Sequence, residues 1–300
     1  MIAAGRLPWN ERSGRFSPLK ALCLAAILTP AAILAWRAAE GNLGNGAIGP
    51  LGPRPITEAI HFTGDWAIRF LLASLAVTPL RRIANFPKLI AVRRQLGLAA
   101  LFYASIHLAL YALDQKWDFA KVVAEIALRY YLTIGFVALS GLFALGLTST
   151  DAMIRRLGSR WNRLHRIVYL IAVLAVLHYF MQSKADVFQP TLIAGFLVYL
   201  MLWRLAQSRS PAGATVPVLV STAIVAALLT AGLEYGWDAL ATNIPPGRGI
   251  AANLSFSYSI RPAWWVLFAG LFLAAIALQR QVKPRDTPRK SRSAARQAVT

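Results

Sequence analysis

His107, His165 and His178 lie inside apolar, helix-length stretches of the chain. A histidine is costly to place in a bilayer and is rarely found there without a partner or a cofactor. Neutral imidazole is a good iron ligand, and facing helices of a bundle are where membrane proteins hold heme. His165 and His178 are thirteen residues apart on what reads as one spanning helix. At 1.5 Å per residue that is about 20 Å, and on a straight helix the two imidazoles point about 140° apart. His107, on another span, falls at the depth of His178. Two axial imidazoles from facing helices give a six-coordinate heme b, a form suited to electron transfer rather than oxygen binding. His165 lies nearer the opposite surface, where it serves a second heme or the point at which electrons arrive. At its depth the neighbouring span offers Arg93 and Arg94 rather than a histidine, so a second bis-histidine site cannot be built from these residues. The plainer reading of His165 is an interfacial polar residue between Arg163 and Arg166.

A second polar set reads HFTGDWAIR. His61, Asp65 and Arg69 are spaced i, i+4, i+8 and share a helix face. An arginine within a span costs about 2.5–3.5 kcal/mol on insertion scales, so it needs a partner, and Asp65 can supply one. The structural reading is an ion pair near the interface, with His61 as a polar residue at the helix end. The functional reading is contact between Arg69 and a heme propionate, a quinone or a flavin phosphate.

The elements that must carry these residues are membrane spans. The 300 residues are 57% hydrophobic with a mean hydropathy of +0.52, above the roughly 45–50% of soluble domains. A spanning helix needs about 20 mostly apolar residues. Eight stretches qualify, at 19–37, 58–80, 96–113, 130–149, 164–182, 190–206, 215–234 and 262–279. The chain is therefore expected to be an all-α integral membrane bundle. Residues 1–44 hold the N-terminus, first span and outer loop, 45–206 the heme-binding core, 207–279 an extension of two spans, and 280–300 a basic tail. Residues 114–129 are too charged to span. There Trp117, Phe119, Val122, Val123 and Ile126 form the apolar stripe of a helix lying in the outer interface.

The net charge of +20 follows the same alternation. With a cytoplasmic N-terminus, 23 of the 32 basic residues fall on the cytoplasmic side, as the positive-inside rule requires. Both termini are then cytoplasmic, and the basic excess reads as topology and attraction to anionic membrane lipid rather than nucleic acid binding. Cys23 is the sole cysteine. That excludes an intrachain disulfide, a Cys-ligated cluster and covalent C-x-x-C-H heme attachment. No P-loop, no G-x-G-x-x-G after a strand and no G-x-S-x-G is present. The sequence shows no convincing internal repeat. Beyond Asp65 and Glu58 no carboxylate is expected within a span, which weakens a proton-coupled transporter.

The stretches HFTGDWAIRFLLASLAVTPLRR, RRQLGLAALFYASIHLALY, YYLTIGFVALSGLFALGLTST and RWNRLHRIVYLIAVLAVLHYF resemble the MsrQ family over about residues 45–206. These are heme-binding membrane subunits of the periplasmic methionine sulfoxide reductase system, within the ferric-reductase-like transmembrane superfamily. The resemblance implies an electron conduit of the bacterial inner membrane. Electrons would come from the quinone pool or a cytoplasmic flavin reductase, cross by heme b, with FMN also attributed to the family, and leave to the molybdenum-containing periplasmic partner MsrP. The family's histidine pattern falls on His107, His165 and His178, and that of the HFTG stretch on His61. Two other readings remain: a stand-alone transmembrane reductase of ferric or other extracytoplasmic acceptors, and a transport or scaffold protein whose histidines are packing residues.

Overall fold

The computed structural model describes residues 7–11, 13–43, 51–183, 186–209, 215–241, 251, 253–256 and 259–282. The basic tail beyond residue 282, the glycine-rich loop at 44–50, the linker at 210–214 and the loop at 242–250 lie outside the described residues. From Pro18 onward the described chain is almost wholly helical. Its helices are α1 (Pro18–Leu43), α2 (Pro55–Ile83), α3 (Arg93–Asp114), α4 (Phe119–Leu128), α5 (Tyr130–Leu147), α6 (Asp151–Leu157), α7 (Ser159–His165), α8 (Val168–Gln182), α9 (Phe188–Arg209), α10 (Val216–Ala241) and α11 (Pro262–Val282). A 3-10 segment, Pro87–Val92, leads into α3. Among the described residues, eight helical stretches are long and apolar enough to cross a membrane. The chain is thus an all-α, multi-pass membrane protein, as its hydropathy predicts.

The core lies where α2, α3, α5, α8 and α9 meet. Leu71, Leu75, Ala100, Tyr103, Ala172 and Leu197 are buried there. The α2–α3 and α5–α8 pairs form two antiparallel hairpins, and α9 joins them to α10 and α11. A smaller cluster of Ile83, Trp203, Leu219, Ala274 and Ala277 seals that junction. The first span is tied to the core by a repair of its own backbone. Pro30 lies inside α1, where its ring removes a donor and displaces a preceding carbonyl. The Tyr103 hydroxyl donates to the Ile27 carbonyl at 2.7 Å and accepts from the Ala31 N–H at 2.9 Å. Backbone groups freed in a membrane helix must find such partners, since lipid offers none.

The structure corrects three expectations. The fifth span is not one helix. α7 ends at His165, and the N–H groups of Arg166, Ile167 and Tyr169 bond the carbonyls three residues back, at Arg163, Leu164 and Arg166. This tighter turn separates His165 from α8, so the straight-helix angle between His165 and His178 does not apply. The seventh span runs past residue 234 to Ala241 and buries two carboxylates, Glu234 at 0% exposure and Asp238 at 6%. Glu234 is ion-paired with Arg261 and accepts a 2.8 Å hydrogen bond from the Asn253 amide. The pairing explains how a carboxylate can sit in an otherwise apolar helix. Finally, the two hairpins repeat one arrangement around their histidines, described below.

A helix forms over Phe119–Leu128, carrying Phe119, Val122, Val123 and Ile126 of the expected stripe, whereas Trp117 lies in the turn before it. Asp118 caps α4 by accepting from the Lys121 N–H at 3.0 Å. Val122 is buried, whereas Trp117, Phe119 and Val123 are exposed. Beneath α4 lies an apolar cavity of about 310 Å³, lined among others by Leu108, Phe119, Ile126 and Phe136.

Candidate heme site

His107 and His178 come together. Their ring centroids are 6.3 Å apart and their planes stand at 89°. His107 is carried by α3 and His178 by α8, one from each hairpin. Each ring is tethered to the other helix of its own hairpin. His107 Nδ1 lies 2.8 Å from the Ile60 carbonyl of α2, and His178 Nδ1 lies 2.8 Å from the Tyr131 carbonyl of α5. A carbonyl can only accept, so both Nδ1 atoms carry the proton and Nε2 keeps its lone pair. Fixing the tautomer in this way is what prepares an imidazole to bind a metal.

Each ring also rests against a glycine one helical turn beyond its carbonyl. A Cβ added at Gly64 would meet His107 Nδ1 at 3.0 Å, and one at Gly135 would meet His178 Nδ1 at 2.7 Å. No larger residue could stand at either position without displacing the imidazole. The two constellations correspond residue for residue, shifted by 71 positions: 60 to 131, 64 to 135 and 107 to 178. In each, the accepting carbonyl lies 47 residues before its histidine. Sequence reasoning found the histidines but missed the glycines and the carbonyls. A glycine 43 residues before each histidine was the available signal.

The Tyr131 end is braced from outside. Tyr111, one turn beyond His107 on α3, donates its hydroxyl to Glu125 Oε2 at 3.2 Å. Arg129 bonds Glu125 Oε1 at 3.0 Å and the Tyr131 hydroxyl at 3.0 Å. Those contacts hold the Arg129 guanidinium above its ordinary pKa, led by the hydrogen bond to Tyr131. Side chains from α3, α4 and α5 are thereby locked around the residue that tethers His178.

His165 is not part of this pair. Its ring stacks on Trp161 with centroids 3.8 Å apart, and its Nδ1 lies 3.2 Å from the Trp161 carbonyl. Nε2 is 3.4 Å from Ser149 Oγ, but that hydroxyl gives its proton to the Leu145 carbonyl at 2.6 Å. The position equivalent to His165 in the other hairpin is Arg94, which is paired with Asp151 at 2.7 Å.

Of the second polar set, Asp65 and Arg69 meet at 3.4 Å, both partly exposed. Arg69 also reaches Gln189 at 3.4 Å and lies over the Trp66 ring. His61 is exposed and makes no hydrogen bond among the described residues. The set is thus a loose ion pair with a separate histidine beside it.

Metal–imidazole bonds run about 2.0–2.1 Å, so rings whose centroids are 6.3 Å apart are spaced to share one metal ion through their free Nε2 atoms.

A family described as "Ferric reductase like transmembrane component" matches residues 63–176, a stretch that includes His107 and His165 and ends two residues before His178. The chain is 45% identical over 186 residues to the protein-methionine-sulfoxide reductase heme-binding subunit MsrQ of Xanthomonas euvesicatoria pv. vesicatoria, covering 62% of this chain and 84% of that protein. It is 39% identical over 194 residues to the MsrQ of Caulobacter vibrioides, covering 64% of this chain and 89% of that protein. No solved structure matches. Identity at this level across most of the relatives' length places this chain in the MsrQ family.

Proposed function

We propose that this chain is the heme b electron-transfer subunit of a methionine sulfoxide repair system, with His107 and His178 as the axial ligands. The observation that carries the reading is the pair of facing imidazoles, each held through Nδ1 by a backbone carbonyl with Nε2 left available. A heme bound there supplies one-electron chemistry, and the protein sets its potential through ligation and surroundings. Ile60 and Tyr131 fix the tautomers, Gly64 and Gly135 let the rings seat, and the apolar walls of both hairpins keep water from the site.

In this reading the bundle lies in the inner membrane with its arginine-rich end and both termini in the cytoplasm. His107 and His178 then sit in the periplasmic half, where electrons must leave to MsrP, a molybdenum-containing periplasmic reductase. The donor is the quinone pool or a cytoplasmic flavin reductase. His165 stands at the opposite end, at a second heme or where electrons arrive. FMN is a further cofactor, and Asp65, Arg69 and His61 are contacts for a cofactor or quinone. Residues 45–206 form the conduit, and 207–279 an added pair of spans beside it. The second reading, a stand-alone reductase of ferric or other acceptors, draws on the ferric reductase family match. Reduction of ferric chelates without the molybdenum partner would favour it.

The test is a reduced-minus-oxidised absorption spectrum of the purified protein with His107→Ala and His178→Ala beside it. A low-spin b-type spectrum should largely disappear in both variants. An unchanged spectrum in both would sink the ligand assignment.

A further inference from the structure

The apolar cavity beneath α4 lies on the side of the core where α3 meets α5. Leu108 and Ala112 of α3, Phe119 and Ile126 of α4, and Thr133 and Phe136 of α5 help to line it. Leu108 follows His107 in the chain, and Phe136 follows Gly135. The cavity wall is thus continuous with the residues that carry and seat the two imidazoles. Its volume of about 310 Å³ is about twice that of an engineered apolar cavity of roughly 150 Å³ that stays dry and binds benzene.

Thr133 is the one polar side chain among the described residues that line the cavity. Its hydroxyl is spent on the Ile126 carbonyl at 2.5 Å. Water in a cavity needs polar partners, and so does a buried ligand group that carries a carbonyl or hydroxyl. The lining offers none, so it suits plain hydrocarbon. The 71-residue repeat shows that the fold does not impose this character. Positions 108, 112, 133 and 136 correspond to Tyr179, Ser183, Phe62 and Asp65 on the opposite flank, where α2 meets α8. Three of those four are polar, and Asp65 holds Arg69 at 3.4 Å. One flank of the imidazole pair is lined by hydrocarbon, and the other is not.

The position of α4 selects the hydrocarbon. An amphipathic helix in the interface buries its apolar face about 5–10 Å deep, at the boundary of headgroups and acyl chains. The space under α4 therefore stands at the depth of a phospholipid acyl chain. Lys121, on the first turn of α4 between the lining residues Phe119 and Val122, is exposed and makes no ion pair among the described residues. Its ammonium matches the phosphate of a headgroup at that level.

We propose that this cavity binds one acyl chain of a membrane phospholipid, with Lys121 meeting the headgroup phosphate. The bound lipid packs α4 against α3 and α5 behind the imidazole pair. The inference goes beyond the proposed function and does not require His107 and His178 to hold heme.

The test places the full-length protein in nanodiscs of phosphatidylcholine and phosphatidylglycerol, with a fraction of the phosphatidylglycerol carrying a diazirine in its acyl chain. Illumination makes a carbene that inserts where the acyl chain lies, and peptide mass spectrometry locates the adducts. Leu228, exposed on α10, is the reference for ordinary contact with bilayer lipid. Adducts on Ile126 and Phe136 should exceed those on Leu228 by more than about fivefold, the mark of a site with its own affinity. Ala127→Trp fills the cavity from α4 and Ala112→Leu fills it from α3, since both residues line it. Either should abolish the excess and leave labelling of Leu228 unchanged. Lys121→Gln should lower the excess, and an unchanged excess there would remove Lys121 from the site. Adducts on Ile126 and Phe136 no more frequent than on Leu228 would overturn the proposal. So would an excess that both filling variants leave intact. Displacement of the label by an added isoprenoid quinone, but not by unlabelled phospholipid, would assign the cavity to a different tail and overturn it as well. Should the filling variants fail to assemble, the labelling ratio of the native protein still decides. Labelling that survives in His107→Ala and His178→Ala separates this site from the heme reading.

Discussion

Gly135 lies so close to His178 that a Cβ built on it would stand 2.7 Å from Nδ1, inside the distance any real side chain tolerates. Gly64 stands in the same relation to His107, but a Cβ there would meet Nδ1 at 3.0 Å. The difference makes an ordered prediction. Gly135→Ala must push the imidazole off the Tyr131 carbonyl, whereas Gly64→Ala asks its neighbour to give by a few tenths of an ångström. Overpacking of a fixed site costs about 1–3 kcal/mol. Heme content per protein, measured after extraction, should fall in both variants and fall further in Gly135→Ala. Equal and full occupancy in the two would show that the glycines do not seat the ligands.

His165→Ala should behave differently from either. Its ring stacks on Trp161, and no second imidazole faces it. The low-spin spectrum of the His107–His178 site should persist in this variant. Any loss should be confined to a second heme or to the rate of reduction by the donor. A spectrum as depleted as that of His178→Ala would mean that the three histidines serve one site.

Hydropathy and basic-residue alternation predict the eight spans because both are local properties of a single helix and its flanks. The histidine pair was legible for the same reason: two costly residues at matched depth on two helices. The tethers were not, because Ile60 and Tyr131 act through backbone carbonyls, which any residue carries. The glycines acquire meaning only once the helices are paired, when the shift of 71 residues brings Gly64 and Gly135 beneath equivalent rings. The break after His165 was invisible because RIVYL has no glycine or proline to mark it. The acid in α10 was misplaced because Glu234 looks like a helix end until Arg261, 27 residues later, returns to neutralise it.

Orientation can be read directly with introduced cysteines. Lys116 and Arg155 are both exposed, at opposite ends of the bundle, and Cys23 is the sole native cysteine. In a Cys23→Ala background, Lys116→Cys should react with a membrane-impermeant maleimide in intact spheroplasts. Arg155→Cys should react only after the membrane is opened. The reverse pattern would place the heme site on the cytoplasmic side and remove the argument for a periplasmic acceptor.

The added helices carry their own wager in Glu234. Its side chain is fully buried, while Arg261 keeps 27% of its exposure. Removing one partner of a buried pair strands the other, at about 3–5 kcal/mol, whereas removing both is far milder. Glu234→Gln alone should therefore lower the thermal unfolding temperature of the detergent-purified protein markedly. Combining it with Arg261→Gln should restore much of the loss. Glu234 belongs to α10, which packs on α9 rather than on α3 or α5. The low-spin heme spectrum of folded protein should thus be the same in both variants. A spectrum that changes with Glu234 while stability holds would show that the extension reaches the heme. The contact between Trp237 and Phe180, two residues beyond His178 with ring centroids 5.1 Å apart, is the route by which it would do so.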